Sequence, residues 1–292
     1  MTNTADSFRD KWEKNTELAF SETLREGTDI FSWILNRNGF SNPQELARFL
    51  ESKRRVLDAG CGNGRVTALL RQYSSAESTE IVGIDLVSSN VARKNLGQLE
   101  NVFVYERDLL GDLSDLGAFD FIYCQEVLHH TEDPQAAFHN LCNVLTPGGE
   151  IAIYVYKKKA PAREFVDDYI REEISKLPYA EAIAVCEQIT ELGKSLSEYK
   201  LKINVPQVDA LEISAGEYDL QRFIYHFFAK CFWNPELSYG DNVAINYDWY
   251  HPQLSTRHTL DEVREWFSSG GLRIIHEFED FYGITVRGTI NG

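Results

Sequence analysis

The stretch VLDAGCGNG, Val56 to Gly64, constrains the fold more than any other part of the chain. An apolar run ends in alternate glycines, and the following GRVTALLRQY places Val66, Leu69 and Leu70 on one helical face. A buried parallel strand that turns sharply into a helix satisfies both patterns. Glycine at 60, 62 and 64 permits the tight turn and leaves main chain open to a ligand at the positive end of the helix.

The alternation continues. EIVGIDL, NVFVYERD, FDFIYCQEV and GEIAIYVY read as strands, and SNVARKNLGQL and DPQAAFHNLCNVL as helices, with a TPGG turn at 146–149 before the fifth strand. This succession predicts an α/β fold, a doubly wound, mostly parallel sheet with helices on both faces and right-handed crossovers. TLDEVREWFSSGG reads as a helix with a capping box, Thr259 to Glu262, and LRIIHEFEDF and GITVRGTI as a closing antiparallel pair.

The flanking segments have a different texture. The first fifty residues read as mostly helical, with Asn42 capping a helix, Pro43 at its first position and Glu45 reaching back. After the fifth strand, AREFVDDYIREEISKL and AEAIAVCEQITELGKSLSEY are helical. DLQRFIYHFFAKCFW puts Leu220, Phe223, Ile224, Phe227, Phe228 and Cys231 on one expected buried stripe. The organisation expected is therefore an N-terminal helical cap over 1–50, a core over 51–157 and 254–292, and a helical insertion over 158–253. That insertion leaves the carboxyl end of a strand, where open α/β sheets bind ligands, and is a candidate substrate cover.

Composition removes several functions. A formal charge of -16 argues against a nucleic-acid partner, since phosphate binding needs clustered Lys and Arg. KKK at 157–159 is followed by DD and reads as a solvated loop. No segment is long and apolar enough to span a bilayer, and MTNTADSFRDKWEKN does not read as a signal peptide. Five scattered cysteines without a CxxC pair suggest reduced thiols in the cytoplasm. No HxxxH or carboxylate trio has metal-ligand spacing. A small-molecule substrate is the default, and the chain leaves room for a homodimer.

The glycine loop discriminates between ligands. A dinucleotide fold wants GxGxxG, whereas Arg65 takes the sixth position here and Asp58 ends the strand. A pyrophosphate sits poorly near that carboxylate. A zwitterionic amino acid sits well, its ammonium on Asp58 and its carboxylate at the helix end, so the loop favours an amino-acid-bearing nucleoside over NAD. Asp85 ends the second strand, placed for both ribose hydroxyls; Asp108 ends the third, placed for an adenine amine with Leu109 beside the ring. Gln125 and Glu126 end the fourth and face the same crevice.

This ensemble resembles the class I S-adenosylmethionine-dependent methyltransferases. The residues that carry the resemblance are VLDAGCGNGR, VGIDL, ERDLL and FDFIYCQEVLHHTEDPQAAFHNLCNVLTPGGEIAIYVY, and it covers roughly 54–157 and 259–290. It implies a Rossmann-like seven-stranded sheet with a reversed last strand, and S-adenosyl-L-methionine as cofactor with S-adenosyl-L-homocysteine as product. By motif, Asp58, Gly60, Cys61, Gly62, Asn63 and Gly64 hold the methionine part, Asp85 and Leu86 the ribose, Asp108 and Leu109 the adenine, and Gln125 and Glu126 the methyl-facing end. Trp12, in FRDKW, looks like a cover for the cofactor.

A sulfonium methyl is already electrophilic, so transfer chiefly needs an in-line nucleophile at close range. A hydroxyl acceptor gains from a base and a neutral amine does not. His129 and His130, just past the fourth strand, are candidates for base or substrate contact, or they only shape the loop. In NYDWYHP, Tyr250 and His251 are candidate pocket residues, with Asp248 and His251 an acid–base pair and Trp249 a core residue. Arg163 is a candidate for a substrate carboxylate or phosphate, or an i, i+4 partner of Asp167. Arg222 and Tyr225, off the apolar stripe of their helix, are candidates to face the pocket. The activity expected is methyl transfer to oxygen or nitrogen of a polar small molecule. A carbon or sulfur acceptor, a carboxylated sulfonium cofactor and an inactive nucleoside-binding regulator stay open.

Overall fold

The computed structural model describes residues 3–290, which divide into two compact units. One lies within Met1–Lys11 and Lys158–Ser255, the other within Trp12–Lys157 and Thr256–Gly292. The chain begins with α1 (Thr4–Lys14), α2 (Phe20–Leu24), α3 (Asp29–Arg37) and α4 (Pro43–Glu51). It continues through β1 (Arg55–Ala59), α5 (Arg65–Gln72), β2 (Glu80–Asp85), α6 (Ser89–Leu96), β3 (Val102–Glu106), β4 (Phe119–Gln125), α7 (Pro134–Cys142) and β5 (Leu145–Tyr156). Then come α8 (Pro161–Ile174), α9 (Tyr179–Glu198), β6 (Lys202–Val205), β7 (Gly216–Asp219), α10 (Leu220–Phe227) and α11 (Tyr239–Tyr250). The last elements are α12 (Leu260–Ser269), β8 (Leu272–Glu279) and β9 (Gly283–Ile290).

The larger unit is built on a seven-stranded sheet of order β3-β2-β1-β4-β5-β9-β8. β1 to β5 pair in parallel, and β9 runs antiparallel to both neighbours, the reversed last strand that the resemblance implies. Period-two alternation explains why the central strands read as unbroken apolar runs: Leu57, Ile122, Cys124, Ile151 and Ile153 enter one layer, and Val56, Phe121, Tyr123 and Ala152 the other. The first layer is completed by Phe138 and Leu141 of α7 and Val263, Trp266 and Phe267 of α12. The second is completed by Phe31, Ile34 and Leu35 of α3, Leu46 and Leu50 of α4, and Val66, Leu69 and Leu70 of α5. This is a Rossmann-like fold.

Local signals hold with two adjustments. The Thr259–Glu262 capping box is present, and Asn42 accepts from the Glu45 amide. Glu45, however, accepts from the Ser41 amide at 2.7 Å, one residue beyond the cap it was expected to reach. The TPGG segment does not precede β5 but lies inside it as an irregularity, where pairing jumps from Phe119–Leu145 to Phe121–Glu150.

The smaller unit holds α8 to α11 and a two-stranded antiparallel ribbon, β6 with β7, that the sequence reading did not anticipate. The expected stripe through Cys231 is corrected. α10 ends at Phe227, and it buries Gln221, Tyr225 and His226 along with Phe227. The helix stops because the following backbone is claimed by side chains: Asn246 exchanges hydrogen bonds with Phe232 N and O, Asn242 with Asn234 N and O, and Gln221 donates to Cys231 O.

Candidate active site

In the larger unit, the carboxyl ends of β1, β2 and β4 and the turn after β3 bring Asp58, Asp85, Gln125, Glu126 and Asp108 to one edge of the sheet. Asp58 is buried and accepts a 2.6 Å hydrogen bond from the Thr67 hydroxyl, one turn into α5. Burial pushes its carboxyl up to about 6, the nearby Asp85 charge adds to the rise, and Thr67 and Arg65 oppose it.

Asp85 anchors the loop. One carboxylate oxygen accepts from Gly62 N at 3.0 Å, the other from Val87 N and Ser88 N at 2.9 Å each. The loop amides, expected open to a ligand, are used internally: Gly60 N and Cys61 N both donate to Ile84 O, and Gly64 N to Cys61 O. Gly60 and Gly62 have φ of +80° and +57°, and a Cβ on Gly60 would come within 2.2 Å of Val127. A Cβ on Gly62 would come within 2.7 Å of the Trp12 ring. The glycines at 60 and 62 are thus required by the protein's own packing, with Trp12, expected to cover the cofactor, packed against Gly62. Gly64, with φ +88°, supplies the N-cap of α5.

Asn63, expected at the methionine part, is fully buried and turns inward. Its Nδ2 donates to Thr16 O and Leu18 O, and Asn95, which sequence reasoning missed, donates to Thr16 O and Asn63 O. Ser88, also missed, donates to Gly62 O at 2.9 Å. Cys61 is buried, and burial with the charges of Asp85 and Asp58 pushes its thiol well up, away from reactivity.

Leu86 is exposed beside Asp85. Asp108 is exposed and accepts from Leu110 N at 2.9 Å, whereas Leu109 lies in the core layer shared with α7. Gln125 accepts from the Tyr123 hydroxyl. Glu126 adopts a left-handed backbone, φ 60°, and lies 3.8 Å from Arg65, whose Nη1 donates to Thr23. Arg37, another missed residue, is buried at the end of α3 among Trp33, Tyr154 and Tyr282 and donates to Asp280 at 3.0 Å.

The two histidines pack inward. His129 is fully buried, accepts from Tyr156 N through Nδ1 at 3.3 Å and stacks on the Tyr156 ring at 3.7 Å, while its carbonyl takes Thr256 N. His130 lies edge-on to Tyr156 at 5.5 Å.

The residues expected on the substrate side belong to the smaller unit, and most are interior. Arg163 donates to Asp167 at 3.0 Å, the i, i+4 alternative, with both side chains 2% exposed. Asp167 is a hub: it also accepts from Trp249 Nε1, the Tyr250 hydroxyl and Lys230 N. His251 stacks on Tyr247 and bridges Ser7 and Leu177 O, whereas Asp248 pairs with Lys11 at 3.0 Å, so the expected Asp248–His251 pair does not form. Tyr225 is buried, and Arg222 is half-buried. Among the described residues no group of His, Cys, Asp or Glu is placed to hold a metal ion, and no helix is long and apolar enough to cross a membrane.

Residues 33–193, more than half of the chain, match the model of the methyltransferase domain family. A ubiquinone biosynthesis O-methyltransferase of Alkalilimnicola ehrlichii is 34% identical over 102 residues, 34% of this chain and 40% of that protein. One of Psychrobacter cryohalolentis is 24% identical over 81% of this chain and 86% of that protein. The chain thus spans well under two thirds of the first relative's length. Among solved structures, PKMT2 from Rickettsia typhi superposes with a TM-score of 0.54 at 15% identity, over 84% of this chain and 52% of that one. A fold of this topology and a family match over this span have one outcome: the chain belongs to the methyltransferase domain family, among the class I S-adenosylmethionine-dependent methyltransferases.

Proposed function

We propose that the chain transfers a methyl group from S-adenosylmethionine to an oxygen or nitrogen of a polar small molecule. The observation that carries this reading is Asp58: a buried carboxylate at the β1–α5 turn, held by a neutral hydroxyl and pushed up to about 6 by burial, fits an ammonium group. When bound, the cofactor supplies an electrophilic sulfonium methyl. Asp58 receives the amino acid's ammonium, and the loop from Gly60 to Gly64, fixed by Asp85 and Asn63, holds the backbone beside it. Asp85 retains lone pairs for ribose hydroxyls beside exposed Leu86, and Asp108 takes the adenine amine, with Leu109 supporting that turn from below. Trp12 covers the loop, and Gln125 and Glu126 line the methyl-facing end.

Nucleophile approach, rather than a histidine base, carries the rate in this reading. His129 is committed to Tyr156 on one ring nitrogen and on its ring face, which supports a role in shaping the end of β4. The names of the relatives favour oxygen over nitrogen as the acceptor atom. The test has two steps: calorimetric titration with S-adenosylmethionine and S-adenosylhomocysteine, then transfer of labelled methyl into a fractionated metabolite extract. Micromolar binding and a labelled O- or N-methyl product are expected. Co-purified NAD, or binding undiminished in Asp58→Asn, overturns the reading.

A further inference from the structure

The chain leaves β4 through a conformation that most side chains avoid. Among the described residues, five that are not glycine have a positive φ: Ala19, Asn101, Glu126, Lys200 and Glu212. Glu126, at φ 60°, alone follows directly on a strand, since β4 ends at Gln125. Its neighbours use the turn. Val127 packs where a Cβ on Gly60 would stand, and Leu128 is fully buried in the core layer shared with α7. Glycine or asparagine makes such a turn with less strain, so packing does not explain why a glutamate stands there.

The contacts of the side chain do not explain it either. The Glu126 carboxylate accepts no hydrogen bond from the described residues, its side chain is 40% exposed, and Arg65 Nη2 stands off at 3.8 Å. By contrast, Asp58 is held by the Thr67 hydroxyl and Asp85 by three backbone amides. Arg65 donates to Thr23 and, among the described residues, forms an ion pair with Glu126 alone. Glu126 is therefore a strand-end acid that solvent and solutes reach, with its acceptor capacity unfilled and a cation already behind it.

We propose that Glu126 selects the methyl acceptor by accepting a hydrogen bond from its reacting group, and that this group is a neutral hydroxyl. The inference rests on the methyl-transfer reading, which puts the methyl-facing end at Gln125 and Glu126. A hydroxyl donates one hydrogen bond and keeps lone pairs for the methyl carbon, so the contact also aims the nucleophile. An ammonium has no lone pair and brings a second positive charge towards Arg65. A tertiary amine, a thioether or a carbon acceptor has no comparable donor to offer. As the acceptor oxygen's lone pair forms the new bond to the methyl carbon, the old carbon–sulfur pair stays on sulfur. The hydroxyl proton passes to a Glu126 carboxylate oxygen and from its exposed side to solvent.

The test uses the full chain. Wild type given labelled S-adenosylmethionine and a fractionated metabolite extract is expected to yield an O-methyl product. A product labelled on nitrogen, carbon or sulfur overturns the proposal while methyl transfer stands. No labelled product at all overturns the methyl-transfer reading and the proposal with it. Glu126→Gln keeps the length of the side chain without its charge. It is expected to bind S-adenosylhomocysteine within about twofold of wild type by calorimetry and to melt within about 2 °C of it. Methyl transfer by this variant should fall roughly 10²–10⁴-fold, with the acidic limb of the pH–rate profile lost. Undiminished transfer overturns the proposal, and so does a loss of S-adenosylhomocysteine affinity as large as the loss of transfer. Should Glu126→Gln fail to fold, Glu126→Asn, which suits a left-handed backbone, takes its place.

Discussion

The Thr67 hydroxyl donates to the Asp58 carboxylate at 2.6 Å and so holds a buried acid at the end of β1. A neutral donor stabilises the carboxylate less than a cation does, so the ionised form remains costly until a positive group arrives.

Folding stability therefore depends on pH in a definite sense. Burial pushes the folded carboxyl up to about 6 from its ordinary 3.8, so the folded state holds the extra proton between these values. Stability is greatest below that window, falls as pH rises through it, and stays level above about 6. Asp58→Asn removes the fall and raises stability at pH 7.5 by up to about 3 kcal/mol. Urea melts of both proteins from pH 4 to 8 check this, and the same variant should lose S-adenosylmethionine. In the wild type, that affinity should drop about tenfold per pH unit below the titration point.

Gly62→Ala combines a left-handed backbone with a contact on the Trp12 ring. A destabilisation of about 1–3 kcal/mol is expected. Adding Trp12→Ala relieves the contact but not the backbone conformation, so the double variant should recover only part of the loss in thermal melts.

Asn95→Ala leaves the carbonyls of Thr16 and Asn63 each without one donor. A cost of about 1–3 kcal/mol is expected, with faster amide exchange confined to the loop and the segment around Thr16.

His129→Phe keeps a ring against Tyr156 and removes the acceptor of its amide. Methyl transfer should fall less than about tenfold, against the ~10²–10⁴ that a general base contributes. A larger fall, with the acidic limb of the pH–rate profile lost, restores the imidazole as a base.

Asp167→Asn withdraws the counter-charge from Arg163 while leaving two interior donors, Trp249 and Tyr250, poorly matched. A loss of about 3–5 kcal/mol in the smaller unit is expected in denaturant melts.

The sheet was legible because strands buried on both faces write themselves as continuous apolar runs, as IVGI and FIYC do, and because glycine and capping signals bound them. The ribbon β6–β7 was not, since KINV and GEYD are short and half-exposed and carry no such signature. α10 was overextended because Phe223 to Trp233 is aromatic in nearly every register, so a helical stripe can be drawn through residues that leave the helix. At the site, the strand-end acids were visible from their positions. Their partners were not: Asn95 meets Thr16 and Arg37 meets Asp280 across long stretches of chain, and no local spacing reports such contacts. Arg163 was read with both its alternatives, and the neighbour four residues on prevails because burial demands a counter-charge.

The seclusion of all five thiols has a practical consequence. A single cysteine introduced at exposed Leu86, next to Asp85, gives maleimide dyes one accessible target, so the wild-type thiols need no removal. A fluorophore attached there turns occupancy of the β2 end into an optical signal, read in real time and without knowledge of the methyl acceptor.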